Sequence, residues 1–339
     1  AEQRPARKKG IMSNPERRMF GLVGHPVGHS VSPAMHSAAF RAHQLPHIYS
    51  AFDVPTGAEL ARFVSDIRSG LIAGANVTIP HKRAIMSMVD DVDSSAAEVG
   101  VANVLCATES RRVTAHNTDV LALRDELAQL LLSAPPGGDD PAGRHGAHSS
   151  PRQRALIIGA GGAAFAAIAA CKMLGYHLIS VTTRSWTSTE AMLESPAGQR
   201  ASELGALTAP WPIPTDRSIS SKSSVALRLN WSEFAVAADL IIQATSAGMV
   251  GGPPGEEVTS IIPWDSLSPD VCLYDVVYNP PVTPFLRIAR ERGLRASDGL
   301  GMLVGQAAQS FTLWTGLPAP VDVMRAAAED SLRKATGGR

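Results

Sequence analysis

Lys82 ends a polar, proline-broken segment, Asn76-Val77-Thr78-Ile79-Pro80-His81-Lys82, and Asn117-Thr118-Asp119 follows in the same half of the chain. A lysine ammonium can give up a proton and take it back when its surroundings tune its charge, and a carboxylate beside it orients the amine and balances that proton. A lysine soon after a proline is ordinarily a surface residue, and Asn-Thr-Asp is ordinarily a turn. Placed in strand-end loops, the two form a candidate proton-transfer pair. The second half opens with Ile157-Ile158-Gly159-Ala160-Gly161-Gly162-Ala163-Ala164. Gly-x-Gly-x-x-Ala after a strand and before a helix is a dinucleotide fingerprint: Gly159 permits the tight turn, Gly161 lets backbone approach a pyrophosphate, and Ala164 allows close helix–strand packing. The helix N-terminus offers N–H groups and partial positive charge to the phosphates. A proton-transfer pair in one half and a nucleotide site in the other point to alcohol/carbonyl oxidoreduction.

The strand after the fingerprint discriminates between cofactors. NAD sites usually place an acidic residue about 20 positions beyond the first glycine, for the ribose 2′-hydroxyl. Here the strand ends Val181-Thr182-Thr183-Arg184-Ser185, without a carboxylate, and Arg184 suits a 2′-phosphate. The expectation is NADP, with NAD as the alternative.

The elements that must position these residues follow from periodicity. A strand is predicted at Met19–Val23, then a Gly/Pro/Ser/His loop, then a helix to about Ala42 with Pro33 in its first turn and Ser32 as its N-cap. Strands at His47–Asp53, Gly74–Ile79, Gly100–Ala107 and Val113–Ala115 alternate with helices at Ala58–Ser69 and His81–Val89. Leu121–Leu132 is a further helix. Beyond a Pro/Gly-rich stretch, Ser133–Gln153, come a strand at Arg154–Gly159, a helix at Ala163–Leu174, and strands at Leu178–Thr182, Asp239–Ala244, Cys272–Val276 and Leu294–Ala296. Helices follow at Thr283–Arg292, Met302–Thr315 and Pro320–Lys334. The Ser/Pro/Thr-rich region Trp186–Trp231 reads as inserted loop. Strands alternating with helices imply an α/β fold. It divides into a substrate-binding domain over 19–121, completed by the C-terminal helices in 300–339, and a Rossmann domain over 122–299 with flexible loops at 133–153 and 186–231. Residues 1–18 read as a disordered basic tail.

Composition narrows the function classes. The chain has 339 residues, room for two domains, and its 45% hydrophobic content can form a sizeable core. Lys+Arg and Asp+Glu both number 31, so charge gives no reason to expect nucleic acid or a membrane surface. No apolar run reaches the roughly 18 residues of a membrane helix. The basic start (Arg4, Arg7, Lys8, Lys9) is followed by no apolar run and is not a secretory signal. Cys106, Cys171 and Cys272 stand far apart among apolar residues, which suits a reducing, cytoplasmic compartment. The scattered histidines have no metal-ligand spacing, so no metal is expected.

Further segments fall into a recognisable order. Gly24-His25-Pro26-Val27-Gly28-His29-Ser30-Val31-Ser32-Pro33-Ala34-Met35-His36, the Lys82 segment, Gly100-Val101-Ala102-Asn103 and the Asp119 segment come first. Ala244-Thr245-Ser246-Ala247-Gly248-Met249, Asp275-Val276-Val277-Tyr278-Asn279-Pro280 and Asp298-Gly299-Leu300-Gly301-Met302-Leu303-Val304-Gly305-Gln306 follow. Together they resemble the shikimate dehydrogenase family, which includes quinate/shikimate dehydrogenases, from about Phe20 to Gly316. The resemblance implies reversible NADP-linked reduction of 3-dehydroshikimate to shikimate, in aromatic amino acid biosynthesis, with Lys82 as general acid/base beside Asp119. Ser30 and Ser32, with Tyr278, would bind the substrate carboxylate, and Asn76, Thr78, Asn103, Asp119 and Gln306 the ring hydroxyls. Gly299 and Met302 would lie near the nicotinamide. Gly159, Ala160, Gly161, Gly162, Ala163, Thr183, Arg184, Thr245 and Met249 would complete the cofactor site.

The sequence departs from the family at Val120 (commonly Gly), at Val104 (where a threonine is lost), at His116, and at Thr183-Arg184-Ser185 (commonly Asn-Arg-Thr). No catalytic group is lost. Two other readings stay open at this point: NAD-linked quinate/shikimate oxidation in quinate catabolism, and a non-catalytic metabolite-sensing regulator. Some relatives are domains of a multifunctional polypeptide, and the basic start fits an excised domain of that kind. Monomer, homodimer and domain of a larger chain all fit.

Overall fold

The computed structural model describes residues 16–133, 154–212 and 231–337. The basic tail up to residue 15, the linker 134–153 and residues 213–230 lie outside it.

The first half contains β1 (Met19–Gly24), α1 (Ser32–Ala42), β2 (Ile48–Asp53), α2 (Gly57–Ser69), β3 (Gly74–Val77), β4 (Asp91–Val92), α3 (Ser94–Val99), β5 (Val104–Ala107), β6 (Val113–His116) and α4 (Asp119–Leu132). Its sheet runs β2-β1-β3-β5-β6-β4. β1 is parallel to β2 and β3, whereas β5 is antiparallel to both β3 and β6. α2 is bounded by a capping box between Thr56 and Glu59 and by Gly70 in the left-handed conformation, and it lays Leu60, Phe63, Val64 and Ile67 on the sheet. Each such side chain contributes about 1.5–3 kcal/mol of burial.

The second half contains β7 (Arg154–Ile158), α5 (Gly162–Met173), β8 (Leu178–Thr182), α6 (Thr189–Glu194), α7 (Pro196–Glu203), β9 (Leu207–Thr208), β10 (Leu240–Gln243), α8 (Glu256–Thr259), β11 (Cys272–Asp275), α9 (Pro284–Glu291) and β12 (Arg295–Ser297). Its sheet, β12-β11-β10-β7-β8-β9, is parallel at every pairing. Strands covered on both faces read as continuous apolar runs, as in Leu156-Ile157-Ile158 and Leu240-Ile241-Ile242. The strand order reverses at β7, which leaves a crevice at its carboxyl end, the place where open α/β sheets bind ligands. The chain thus forms two α/β domains.

The last two helices, α10 (Leu300–Thr315) and α11 (Val321–Gly337), return to the first sheet. Val304, Ala307, Phe311, Met324 and Ala328 share a core with Phe20, Leu22, Met35 and Phe40 of β1 and α1. α4 leaves the first sheet with Asp119, then packs Leu123, Leu127 and Leu130 into the core containing Ala164, Ala167 and Ile168 of α5.

Several expectations are corrected. Val31 precedes α1, whose first helical residue is Ser32, and no side chain caps that terminus. β3 stops at Val77, short of the expected Ile79, with the Thr78 amide making one last bond to the Val23 carbonyl of β1. The helix expected at His81–Val89 is only a short 3-10 turn, Ala84–Ser87. The strand expected from Gly100 starts at Val104, since Gly100 (φ 72°) ends an unforeseen helix, α3. The supposed loop from Trp186 holds α6, α7 and β9, and the helices are capped by Ser188 and Ser195.

Candidate active site

β3 and β6 deliver the two halves of the proton-transfer pair. After β3 the chain turns through Thr78 to His81, whose buried ring bonds the Val54 carbonyl at 2.6 Å and anchors the turn. Lys82 then projects toward α4. Asp119 is the first residue of α4, where a helix N-terminus favours negative charge. That terminus is organised by Asn117, whose Oδ1 accepts from the amides of Asp119 and Val120 at 3.0 and 3.2 Å. Lys82 Nζ donates to Asp119 Oδ2 at 2.6 Å, with side-chain exposures of 20% and 4%. The lysine is therefore within reach of a ligand and the aspartate is held behind it.

Asp119 Oδ1 accepts from Asn103 Nδ2 at 2.9 Å. That amide also contacts Thr118 Oγ1 and Gln306 Oε1, and its oxygen accepts from the Thr118 backbone N–H. Asn76 lies one layer further back. Its Oδ1 accepts from Tyr49 Oη at 2.8 Å, while its Nδ2 donates to Ser310 Oγ and to the Asn103 carbonyl. Burial pushes the Tyr49 hydroxyl pKa well up, so it remains a donor. The motif reading does not include Tyr49 or Ser310, and no local pattern marks them, because both reach Asn76 only through tertiary packing.

A second cluster forms from distant segments. Ser30 Oγ donates to Ser32 Oγ at 3.2 Å and accepts from the Ser32 amide. Tyr278, from the loop after β11, joins them: burial raises its hydroxyl pKa, and a hydrogen bond with Ser30 partly offsets that rise. Asp275 holds this loop by accepting from the Val277 amide at 2.9 Å and from Thr283 Oγ1 at 2.6 Å. Gly299 packs behind it, where a Cβ would stand 2.1 Å from the Val276 carbonyl oxygen, and Met302 is buried beside it at the start of α10. Thr78 is half-buried, against Gly24.

The glycine turn fits a dinucleotide. Gly159 has φ 128°, and a Cβ there would meet the Ala244 carbonyl at 2.7 Å, so only glycine is unstrained. Thr245 lies against the same turn. A Cβ at Gly161 would meet nothing within 4 Å, which leaves open space in front of the α5 N-terminus for phosphates. Ala160 and Ala163 flank it, half-buried. A Cβ at Gly162 would lie 3.1 Å from Lys82 Cδ, so the lysine stem runs directly over the turn. Thr183 follows β8, and Arg184 next to it donates to Glu257 at 2.6 Å. Met249 is not gathered in: it is exposed, in a turn whose next residue, Val250, bonds the Asn279 carbonyl. Among the departures from the family, Val120 and Val104 pack into cores, and His116 Nδ1 sits 3.7 Å from Asp93. None displaces the Lys82–Asp119 contact. No group of His, Cys, Asp or Glu among the described residues is placed to hold a metal ion.

This arrangement sets a proton donor beside a dinucleotide turn and two clusters of neutral hydrogen-bonding groups. Comparison with known proteins agrees with it. Residues 22–105 match the family described as shikimate dehydrogenase substrate binding domain, and residues 299–329 match the shikimate 5′-dehydrogenase C-terminal domain. A shikimate dehydrogenase (NADP(+)) of Moorella thermoacetica is 38% identical, across 94% of this chain and 95% of that protein. The structure of shikimate 5-dehydrogenase from Thermus thermophilus in complex with NADP(H) and shikimate superposes with a TM-score of 0.69 at 28% identity, covering 93% of this chain and all 100% of that one. Shikimate 5-dehydrogenase from Listeria monocytogenes, in complex with shikimate and NAD, gives 0.71 at 26% identity, over 91% and 96% of the two chains.

Proposed function

The chain belongs to the shikimate dehydrogenase family, and from that premise we propose that it carries out NADP-dependent, reversible reduction of 3-dehydroshikimate to shikimate, with Lys82 as the proton-transferring residue. The observation that carries this reading is the position of Lys82, its Nζ on Asp119 and its stem over Gly162 at the cofactor turn. NADPH, when bound, supplies the hydride. Lys82 donates its proton to the carbonyl oxygen as charge develops there, and takes it back in the reverse direction. Asp119 holds the ammonium in place from one oxygen while Asn103 holds Asp119 from the other. Ser30, Ser32 and Tyr278 supply hydroxyl donors for the substrate carboxylate. Thr78, Asn103, Asp119 and Gln306 face the ring hydroxyls, and Asn76 acts through the Asn103 backbone it holds. A small polyhydroxylated acid suits this set, because a site that bonds each hydroxyl rejects analogues lacking one.

The test is absorbance of the reduced nicotinamide with shikimate and quinate, each paired with NADP and NAD. Fastest reduction with shikimate and NADP is expected. Quinate with NAD as the best pair would overturn the assignment in favour of quinate catabolism, and binding without turnover would make the chain a metabolite sensor.

We also place the enzyme in the reducing cytoplasm. Cys106, Cys171 and Cys272 form no disulfide, burial pushes the Cys106 thiol up to about 12 and raises that of Cys171, and no helix among the described residues is long and apolar enough to cross a membrane. Recovery of the activity in an organelle fraction of the source cells would overturn that placement.

A further inference from the structure

Arg184 follows β8, and Glu257 belongs to α8, beyond the loop that leaves β10. β8 and β10 flank β7 on opposite sides. Their 2.6 Å contact, Arg184 Nη1 to Glu257 Oε2, therefore spans the crevice at the carboxyl end of β7, above the Gly159 turn. The two side chains are 57% and 39% exposed, so the pair lies where a ligand entering the crevice meets it. We propose that Glu257 is a specificity-determining residue: it competes with the cofactor's 2′-phosphate for Arg184 and so blunts the chain's preference for NADP over NAD.

The inference rests on Arg184 as the reader of that phosphate. A guanidinium grips phosphate best through two parallel N–H bonds, and here Nη1 is already engaged by a carboxylate. A 2′-phosphate at Arg184 also meets the like charge of Glu257 a few ångströms away, and that repulsion is only partly screened at the mouth of the crevice. NAD meets no such repulsion, and its 2′-hydroxyl can donate to Glu257. The carboxylate thus provides, from the β10 side, the acceptor that NAD sites usually place at the end of the second strand. Because an exposed ion pair is weak, the phosphate can still displace Glu257, and NADP remains usable.

The experiment is calorimetric binding of 2′,5′-ADP, ADP, NADP and NAD to the parent protein, to Glu257→Gln and to Arg184→Ala. Glu257→Gln is expected to bind 2′,5′-ADP and NADP roughly three- to tenfold more tightly, with a smaller gain at high salt. ADP and NAD, whose 2′-hydroxyl loses its charged acceptor, should both bind it no more tightly than they bind the parent. The ADP measurement also establishes that the variant folds. A Glu257→Gln protein that binds 2′,5′-ADP no more tightly, or gains equally for ADP, would overturn the proposal. If Arg184→Ala bound 2′,5′-ADP as well as the parent does, the reading of Arg184 itself would fall. That failure appears in the arginine variant alone.

Discussion

Both oxygens of Asp119 are occupied by different donors, Lys82 Nζ and Asn103 Nδ2, so the carboxylate cannot rotate away without losing two hydrogen bonds. The lysine proton is held at one place, which is what acid–base catalysis requires. Lys82→Ala is therefore expected to lower kcat by roughly 10²–10⁴ with a smaller effect on KM, and near-normal turnover would sink the assignment of the proton donor. Tyr278 tests the other cluster. Its raised pKa keeps the hydroxyl protonated as a donor, and a hydrogen bond to a charged group contributes about 1.5–3 kcal/mol. Tyr278→Phe should raise KM for shikimate roughly ten- to hundredfold, with kcat less affected. Unchanged KM would remove Tyr278 from the carboxylate site. These residues were legible because Lys82, Asp119 and Ser30 each stand in a local pattern. Tyr49 and Ser310 were not, because each meets Asn76 only when β2, β3 and α10 have assembled around β1. The Arg184–Glu257 pair is hidden for the same reason, since its partners come from opposite sides of β7.

The elements that came through cleanly from sequence were those with one strong period: the apolar strands β7, β8, β10 and β11, and the amphipathic α2. The hidden ones are short and polar. α6 and α7 lie in the Ser/Pro/Thr-rich stretch that reads as loop, and α3 falls between two expected elements, yet each begins at a capping side chain, Asp93, Ser188 or Ser195, which accepts from a backbone amide of the first turn. Those caps were the signal available, and the scarcity of apolar residues outweighed it. Ser195 carries more than a cap. Its Oγ accepts from the Gly198 amide and from Trp186 Nε1, both at 2.8 Å, and Trp186 is among the largest fully buried side chains. Ser195→Ala removes the cap of α7 and strands a buried indole N–H, so a loss of about 1–3 kcal/mol is expected in urea unfolding. A change within a few tenths of a kcal/mol would mean that water or another acceptor takes over both roles.

At the scale of the molecule, two buried groups give stability opposite pH slopes. His36, stacked on Tyr49 with ring centroids 4.3 Å apart, has its pKa lowered to about 3 by burial. The unfolded chain therefore binds more protons between that value and 6.5, and stability is lost as pH falls through this window. Asp275 has its pKa raised to about 7 by burial, so the folded chain binds more protons above 3.8, and stability is lost as pH rises toward 7. Relative to the parent, His36→Phe should gain stability as the solution is acidified below 6.5, and Asp275→Asn should gain it as pH rises from 3.8 toward 7, in unfolding titrations across that range. Differences that do not vary with pH would overturn both assignments. The arrangement of the two domains was the least legible property of all, because its contacts join segments with no shared pattern. Val99 and Val101 of the first half pack into the α5 core, and Arg200 of α7 donates to the carbonyls of Ala97, Glu98 and Val99 at the end of α3. Those carbonyls are the orphan acceptors of a helix C-terminus, which a guanidinium satisfies both by hydrogen bonding and by its charge. Immediately beyond α3 the chain reaches Val101, whose carbonyl holds Asn117, and then Asn103, which holds Asp119. Arg200 therefore ties the cofactor half to the segment that sets the proton-transfer pair. Arg200→Ala should raise KM for shikimate and for NADP together, by about three- to tenfold, and should enlarge the radius of gyration seen by small-angle scattering as the cleft relaxes. Unchanged scattering with unchanged KM would mean that the apolar contact of Val99 and Val101 alone fixes the domains.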